Sequence, residues 1–243
     1  MDPICLPVEL VSTARRFKYG GRTIMGGDPL MLAIAGGKGG CGKTTTTLGI
    51  AAALGRAGRR VLAIDADRDM PDLHVAAGVP GEPTAAAIAD GEPVSSVVHP
   101  VPRAPRVGVV PAAPGVSRRQ LRAAIECCRT GTTVGLIDCP GGAGSDAVAP
   151  LRAADAALLV TTDRPASLRD AAKTAAVART LETPIVGTVV TRRRSIPAEI
   201  DRLTGADAVA TGRVTDPLSP EETGAYREIA QRIWQELFSG SAR

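Results

Sequence analysis

The chain has 243 residues, with 29 lysines and arginines against 25 aspartates and glutamates, and its aromatic set is one tryptophan, two tyrosines and two phenylalanines. A charge surplus of +4 is too modest to announce a nucleic-acid partner, and so few aromatics argue against a base-stacking platform. No apolar run approaches the roughly 18 residues of a membrane span. The length suits one domain with a large core built from Ala, Val, Leu and Ile.

In chain order, residues 1–30 hold no run of signal-peptide type, because Pro7 and Glu9 interrupt the only candidate. Arg15, Arg16, Lys18 and Arg22 with Phe17 and Tyr19 could form a short basic arm, but the segment reads better as a disordered N-terminal extension or an overextended start. From Met31 onward, apolar runs at 31–35, 61–65, 107–110, 134–138, 156–162, 185–191 and 206–210 predict strands. Helical patterns fall at 44–57, 117–128, 146–153, 167–181 and 221–238. Such alternation predicts βαβ units and a mostly parallel sheet with helices on both faces, a three-layer α/β/α domain over residues 31–243. Ser117 with Gln120, and Ser219 with Pro220 and Glu222, read as capping boxes. The Pro-rich stretch 92–114 reads as loops around one strand.

Ten residues carry most of the chemistry: Gly36 to Thr45, GGKGGCGKTT, between the 31–35 strand and the 44–57 helix. Gly37, Gly42, Lys43 and Thr44 fit the phosphate-loop pattern G-x-x-x-x-G-K-[ST] in the strand–loop–helix context it requires. The glycines let several N–H groups converge on one anion, and the helix N-terminus behind them adds its positive end. Lys43 is placed to reach β- and γ-phosphates, Thr44 to ligate Mg²⁺, and Thr45 to bond an α-phosphate.

Lys38 is more than an ordinary phosphate loop needs. With it the run resembles the deviant Walker A motif, KGGxGKTT, of the MinD/ParA family of dimeric P-loop ATPases, Lys38 being the signature lysine and Cys41 the variable position. The resemblance implies a P-loop NTPase fold with ATP and Mg²⁺ as cofactors. It also implies a homodimer in which Lys38 reaches the nucleotide of the partner copy. Gly37, Lys38, Gly39, Gly40, Cys41, Gly42, Lys43, Thr44 and Thr45 would bind the nucleotide. Two further segments support it. Val61–Asp65 ends an apolar run in a carboxylate, and Asp65-Ala66-Asp67 resembles the family's second acidic motif. Val134–Gly142, VGLIDCPGG, resembles its Walker B and switch II. By that resemblance Asp67 orients the attacking water, Asp65 supports the Mg²⁺ and loop network, Asp138 holds Mg²⁺ through its water shell, and the Gly141 N–H senses the γ-phosphate. Catalytic weight thus falls on Lys38, Lys43 and Asp67, and metal binding on Thr44, Asp65 and Asp138.

Departures from the pattern are equally visible. Arg68 to His74 lacks the usual glycine and asparagine of switch I, and Thr191-Arg192 stands where the family often places an asparagine to read adenine. The arginines 192–194 read as a rim of the base pocket, a nucleic-acid patch or a solvated turn. Thr161 to Asp170 resembles the MinD branch more than the ParA branch, although Ser167 and Asp170 serve equally as an ordinary helix cap and first-turn acid. The five cysteines, 5, 41, 127, 128 and 139, include no C-x-x-C pair. They fit a reducing cytoplasm, and Cys139 fits a buried small apolar residue. In the 221–238 helix, Tyr226, Ile229, Ile233 and Leu237 form a stripe that reads as docking on the sheet rather than on lipid, because the polar face is not basic.

The expectation is therefore an ATP-hydrolysing molecular switch of the MinD type, slow and stimulated by a partner, acting in spatial positioning or cell-division-type regulation. It would be cytoplasmic with peripheral membrane contact left open, and would have an activating or cargo protein as partner. A ParA-type partition ATPase that binds DNA remains an alternative, as does a P-loop metabolic ligase or iron–sulfur carrier relative.

Overall fold

The computed structural model describes residues 16–19, 22–25, 29–37, 39–112, 114–130 and 134–238. Strands β1 (Arg16–Tyr19) and β2 (Arg22–Met25) pair as an antiparallel hairpin inside the segment expected to be a disordered extension. The remaining strands make one sheet: β3 (Leu30–Gly36), β4 (Val61–Asp65), β5 (His99–Pro100), β6 (Val107–Val110), β7 (Val134–Asp138), β8 (Ala156–Thr161), β9 (Ile185–Val190) and β10 (Ala208–Ala210). Their spatial order is β10-β9-β8-β3-β7-β4-β6-β5, and every pairing is parallel except the edge pair β5–β6.

The strands are apolar on both faces because both faces are covered. Side chains alternate along β3, so that Leu30, Leu32 and Ile34 enter one core while Met31, Ala33 and Ala35 enter the other. Against the first lie α1 (Lys43–Arg56), the short α2 (Leu73–Ala77) and α9 (Gly224–Phe238). Against the second lie α3 (Ala85–Ala89), α5 (Arg118–Arg129), α6 (Ser145–Ala153) and α7 (Pro165–Thr180). Ile200 of α8 (Ile200–Thr204) packs with Leu168 and Val190 in a small third cluster. The three-layer α/β/α architecture is thus as the alternation of apolar runs predicts.

Local departures have local causes. Ser117 and Gln120 form the reciprocal capping box at the start of α5. Ser219 does not form one with Glu222. Its hydroxyl accepts from the N–H of Glu221 and Glu222 in a turn, while the Glu222 carboxylate reaches back to the N–H groups of Thr215 and Asp216. The helix therefore opens three residues later than predicted, at Gly224. Helix α7 opens two residues early, because Pro165 sits at its first turn where a missing N–H costs nothing. The Pro-rich stretch holds the four-residue α4 (Val94–Val97) and β5 besides the expected strand. Helix α9 docks inward as predicted at Tyr226, Ile229 and Ile233, which are buried, while the Leu237 side chain lies outside the described part of the structure; α1 supplies most of the surface. Among the described residues, no helix is long and apolar enough to cross a membrane.

Candidate nucleotide site

The site lies at the carboxyl edge of the sheet, beside β3, where chain segments depart to both sides of that strand; ligands of open α/β sheets bind at such a switch point. Gly36 makes the first step of the loop possible. A Cβ there would stand 2.2 Å from the Val160 carbonyl oxygen of β8, and its φ is +140°. Only glycine lets the backbone leave β3 this close to β8. The Gly37 N–H then donates to Val160 O at 2.9 Å. At the other end Gly42, φ +96°, turns the chain into α1 in the left-handed region.

Between these points the loop is tied from behind and open in front. Cys41 is buried, its Sγ 3.6 Å from both Gly37 O and Val160 O. The Thr191 hydroxyl donates to Cys41 O at 2.7 Å and lies 3.2 Å from Thr161 O, and the Arg192 guanidinium donates to Gly40 O at 2.6 Å. At Gly39 and Gly40, by contrast, a Cβ would meet nothing within 4 Å. Gly42 at the N-cap position of α1 has no side chain to cap the helix, which leaves its first N–H groups without that kind of partner from the N-cap residue. An open glycine crest over an uncapped helix start, with Lys43 largely buried beside it, is the cradle that a polyphosphate fits. Lys38, the expected signature lysine, lies outside the described residues, and Gly37, Gly39, Gly40, Cys41, Gly42, Lys43, Thr44 and Thr45 all fall on this loop and helix start.

The acidic residues arrive from neighbouring strands. Asp65 ends β4 and Asp138 ends β7, and the two are register partners. Burial pushes the Asp138 carboxyl up to about 7, opposed by hydroxyls of Thr44 and Thr47 and by Lys43. Burial and then the neighbouring Asp138 push Asp65 up to about 8. Thr47 donates to Asp138 Oδ1 at 3.2 Å as well as to Lys43 O. Both oxygens of Asp65 accept backbone N–H groups, from Asp67 at 2.9 Å and Leu73 at 3.2 Å, which folds the loop 66–73 back onto the sheet edge. Asp67 Oδ1 in turn accepts from the N–H of Asp69 and Met70. Among the described residues no group of three or more His, Cys, Asp or Glu side chains converges on a metal position. Thr44 and Asp138 alone fit a cation of the Mg²⁺ type, which takes few protein ligands and keeps water and phosphate oxygens.

Two features escape sequence reasoning. Arg68 crosses to the Val116 carbonyl at 2.6 Å and to Asp146 of α6, which also pairs with Arg118 at 3.1 Å. The loop after β4 is thereby joined to the helix after β7. Asp72 accepts from the Thr44 hydroxyl at 3.1 Å; the departure of residues 68–74 from the family pattern was the one available signal. Ser167, read equally as a cap, sits inside α7. Its hydroxyl bonds the Thr162 N–H at 3.0 Å and meets the Thr161 hydroxyl at 2.9 Å, and a Cβ on Gly37 would stand 2.6 Å from it. The Gly142 N–H donates to Gly37 O at 3.3 Å, which brings the turn containing Gly141 onto the phosphate loop. Arg192 is engaged by Gly40 and Arg193 by Asp163 at 3.0 Å. Two of the three clustered arginines are therefore spent within the fold. A groove of about 540 Å³ between α1 and α9, where Arg59 stacks 3.8 Å over Trp234, lies at the far end of α1 from this loop.

This is the edge of a P-loop nucleotide-binding domain, and comparison with known proteins agrees. Residues 32–204 match the CobQ/CobB/MinD/ParA nucleotide binding domain, and the chain belongs to that family. It is 31% identical over 192 residues, 75% of this chain and 70% of the relative, to an uncharacterised ATP-binding protein of Methanocaldococcus jannaschii. It is 28% identical over 190 residues, 74% of this chain and 70% of the relative, to the septum site-determining protein MinD of Synechocystis. Among solved structures, that of MinD complexed with Mg-ADP from Pyrococcus horikoshii superposes with a TM-score of 0.75 at 26% identity, covering 87% of this chain and 98% of that one.

Proposed function

We propose that this chain is an ATP-hydrolysing dimeric switch of the MinD type, acting in spatial positioning or cell-division-type regulation. The observation that carries the reading is the cradle itself: an open glycine crest over an uncapped helix start, with Lys43, Thr44 and Asp138 gathered at one end of the sheet. The Mg²⁺-ADP complex of a structural relative supports the choice of ligand. Mg·ATP bound there would bring the transferable phosphoryl group and the cation's charge.

The protein's share is positioning and electrostatics, as in other phosphoryl transfers. Backbone N–H groups from Gly39 to Thr45 would grip the phosphates, with Lys43 as a fixed point charge and Lys38 as the contribution to a partner copy. Thr44 and Asp138 would hold the metal, Asp65 holds the loop that carries Asp67, and Asp67 would orient the attacking water. Gly141 reports the γ-phosphate. An activating or cargo protein would set the rate of hydrolysis and the place where the cycle acts, in the cytoplasm or at a membrane surface.

Calorimetry with Mg·ATP followed by sizing of the complex tests this. The expected result is saturable binding and a dimer that Lys38→Ala abolishes; folded protein that gives no heat would refute it. Mixing the loaded protein with duplex DNA and with anionic vesicles then separates a ParA-type from a MinD-type surface. The capture of Arg192 and Arg193 within the fold favours the second.

A further inference from the structure

We propose that Asp72 is a positioning residue that presents the Thr44 hydroxyl to the metal and makes nucleotide binding depend on that metal. The role rests on the reading of the site given above. Asp72 occupies the N-cap position of α2, where an aspartate normally accepts from the N–H groups of its own helix. It does not: no side-chain cap bond is made. Its carboxylate accepts instead from Thr44 Oγ1, 28 residues away, at 3.1 Å. A side chain that abandons its local partner for a distant one marks a constraint beyond folding.

The helical alternative for the Thr44 proton is taken. Thr47, in the next turn, donates to the carbonyl four residues back, Lys43 O. For Thr44 the corresponding carbonyl is Gly40 O, which receives the Arg192 guanidinium. Asp138, the other carboxylate within hydrogen-bonding reach of the Thr44 hydroxyl, also receives Thr47, and Asp72 offers Thr44 a second charged acceptor. A hydroxyl has one proton and two lone pairs. With the proton given to a charged acceptor, a strong arrangement, both lone pairs stay free for a cation. Asp72 is held in place by its neighbour, since the Leu73 N–H is fixed by Asp65 Oδ2 at 3.2 Å. Its negative charge beside the loop also opposes a polyphosphate that arrives without metal.

The test is the metal advantage: the ratio of dissociation constants for a fluorescent ATP analogue in EDTA and in Mg²⁺, with the affinity of the loaded protein for Mn²⁺ read by electron paramagnetic resonance. In Asp72→Ala the advantage should fall about tenfold and Mn²⁺ affinity with it, while affinity in EDTA stays level or rises. Asp72→Asn, which keeps an acceptor oxygen but no charge, should fall between. Adding Asp72→Ala to Thr44→Ala should cost little more. An unchanged metal advantage in both Asp72 variants would overturn the role, as would an equal loss with and without metal, which would mark Asp72 as shaping the loop only. If the unmodified, folded protein bound the analogue in neither condition, the reading of the site would fall first and this role with it.

Discussion

Asp65 and Asp138 stand side by side on adjacent strands, register partners at the ends of β4 and β7, and both are buried. Burial raises each, Asp65 to about 8 with Asp138 as the second cause, and Asp138 to about 7. An acid whose folded pKa lies above its unfolded value lends stability that is complete below the unfolded pKa and is lost as pH rises through the folded one. Urea denaturation in EDTA should therefore show stability falling from about pH 4 to about pH 8, by up to about 1.4 kcal/mol per pH unit for each carboxylate. Mg·ATP, which needs the ionised forms, should raise the melting temperature more at pH 8 than at pH 6, and Asp138→Asn should flatten both trends. A stability curve indifferent to pH across this window would contradict the buried pair.

Thr191 ties the phosphate loop from behind through Cys41 O and Thr161 O. Thr191→Val preserves shape and leaves the Cys41 carbonyl without this donor in a buried place, at a cost of about 1–3 kcal/mol. The loss should appear as nucleotide affinity weakened roughly tenfold, with Thr191→Ser near the parent. Equal affinity in the Val variant, measured by calorimetry, would show the tether to be idle.

At the opposite end of the sheet, Arg129 of α5 pairs with Asp155 at 2.6 Å, and Asp155 also accepts the Met31 N–H at 2.8 Å. The Asp155 side chain is 5% exposed. Arg129→Met should cost about 3 kcal/mol, because it takes the Arg129 charge away from a buried carboxylate. Adding Asp155→Asn, which keeps the acceptor and removes the charge, should recover part of that loss in urea denaturation. A double variant no more stable than the single would argue against the charge as the cause.

Helix α1 accepts α9 at Gly49, where a Cβ would stand 2.1 Å from Tyr226 Cδ2. Alanine ordinarily strengthens a helix relative to glycine by about 1 kcal/mol. Here overpacking should outweigh that gain, and Gly49→Ala should lower stability by about 1–2 kcal/mol net. Tyr226→Leu should relieve the clash, so the double variant should melt above Gly49→Ala alone.

The sheet was legible because its strands are continuous apolar runs, as burial on both faces demands, and their ends fell within a residue or two of the predictions for β3, β4, β6 and β7. The loop was legible because its glycines and lysine sit in a fixed strand–loop–helix frame. Short elements such as α2, α4 and β5 were not, since four or five residues give too little periodicity to count. The Arg68–Asp146 and Thr44–Asp72 contacts join segments 78 and 28 residues apart, and nothing in local composition encodes such a distance. Glu222 misled because a capping-box spacing fixes which residues can meet, not which partner a flexible carboxylate takes.

Cysteine accessibility has a practical use. Cys41, Cys128 and Cys139 are buried, and burial raises all three thiols, Cys128 to about 12. Cys127, one residue from Cys128 on α5, is exposed. Once Cys5 is replaced, a maleimide dye should attach to the outer layer of the domain and leave the phosphate loop untouched. Paired dyes on two copies would then give an optical readout of whether the proposed dimer assembles on nucleotide and comes apart again.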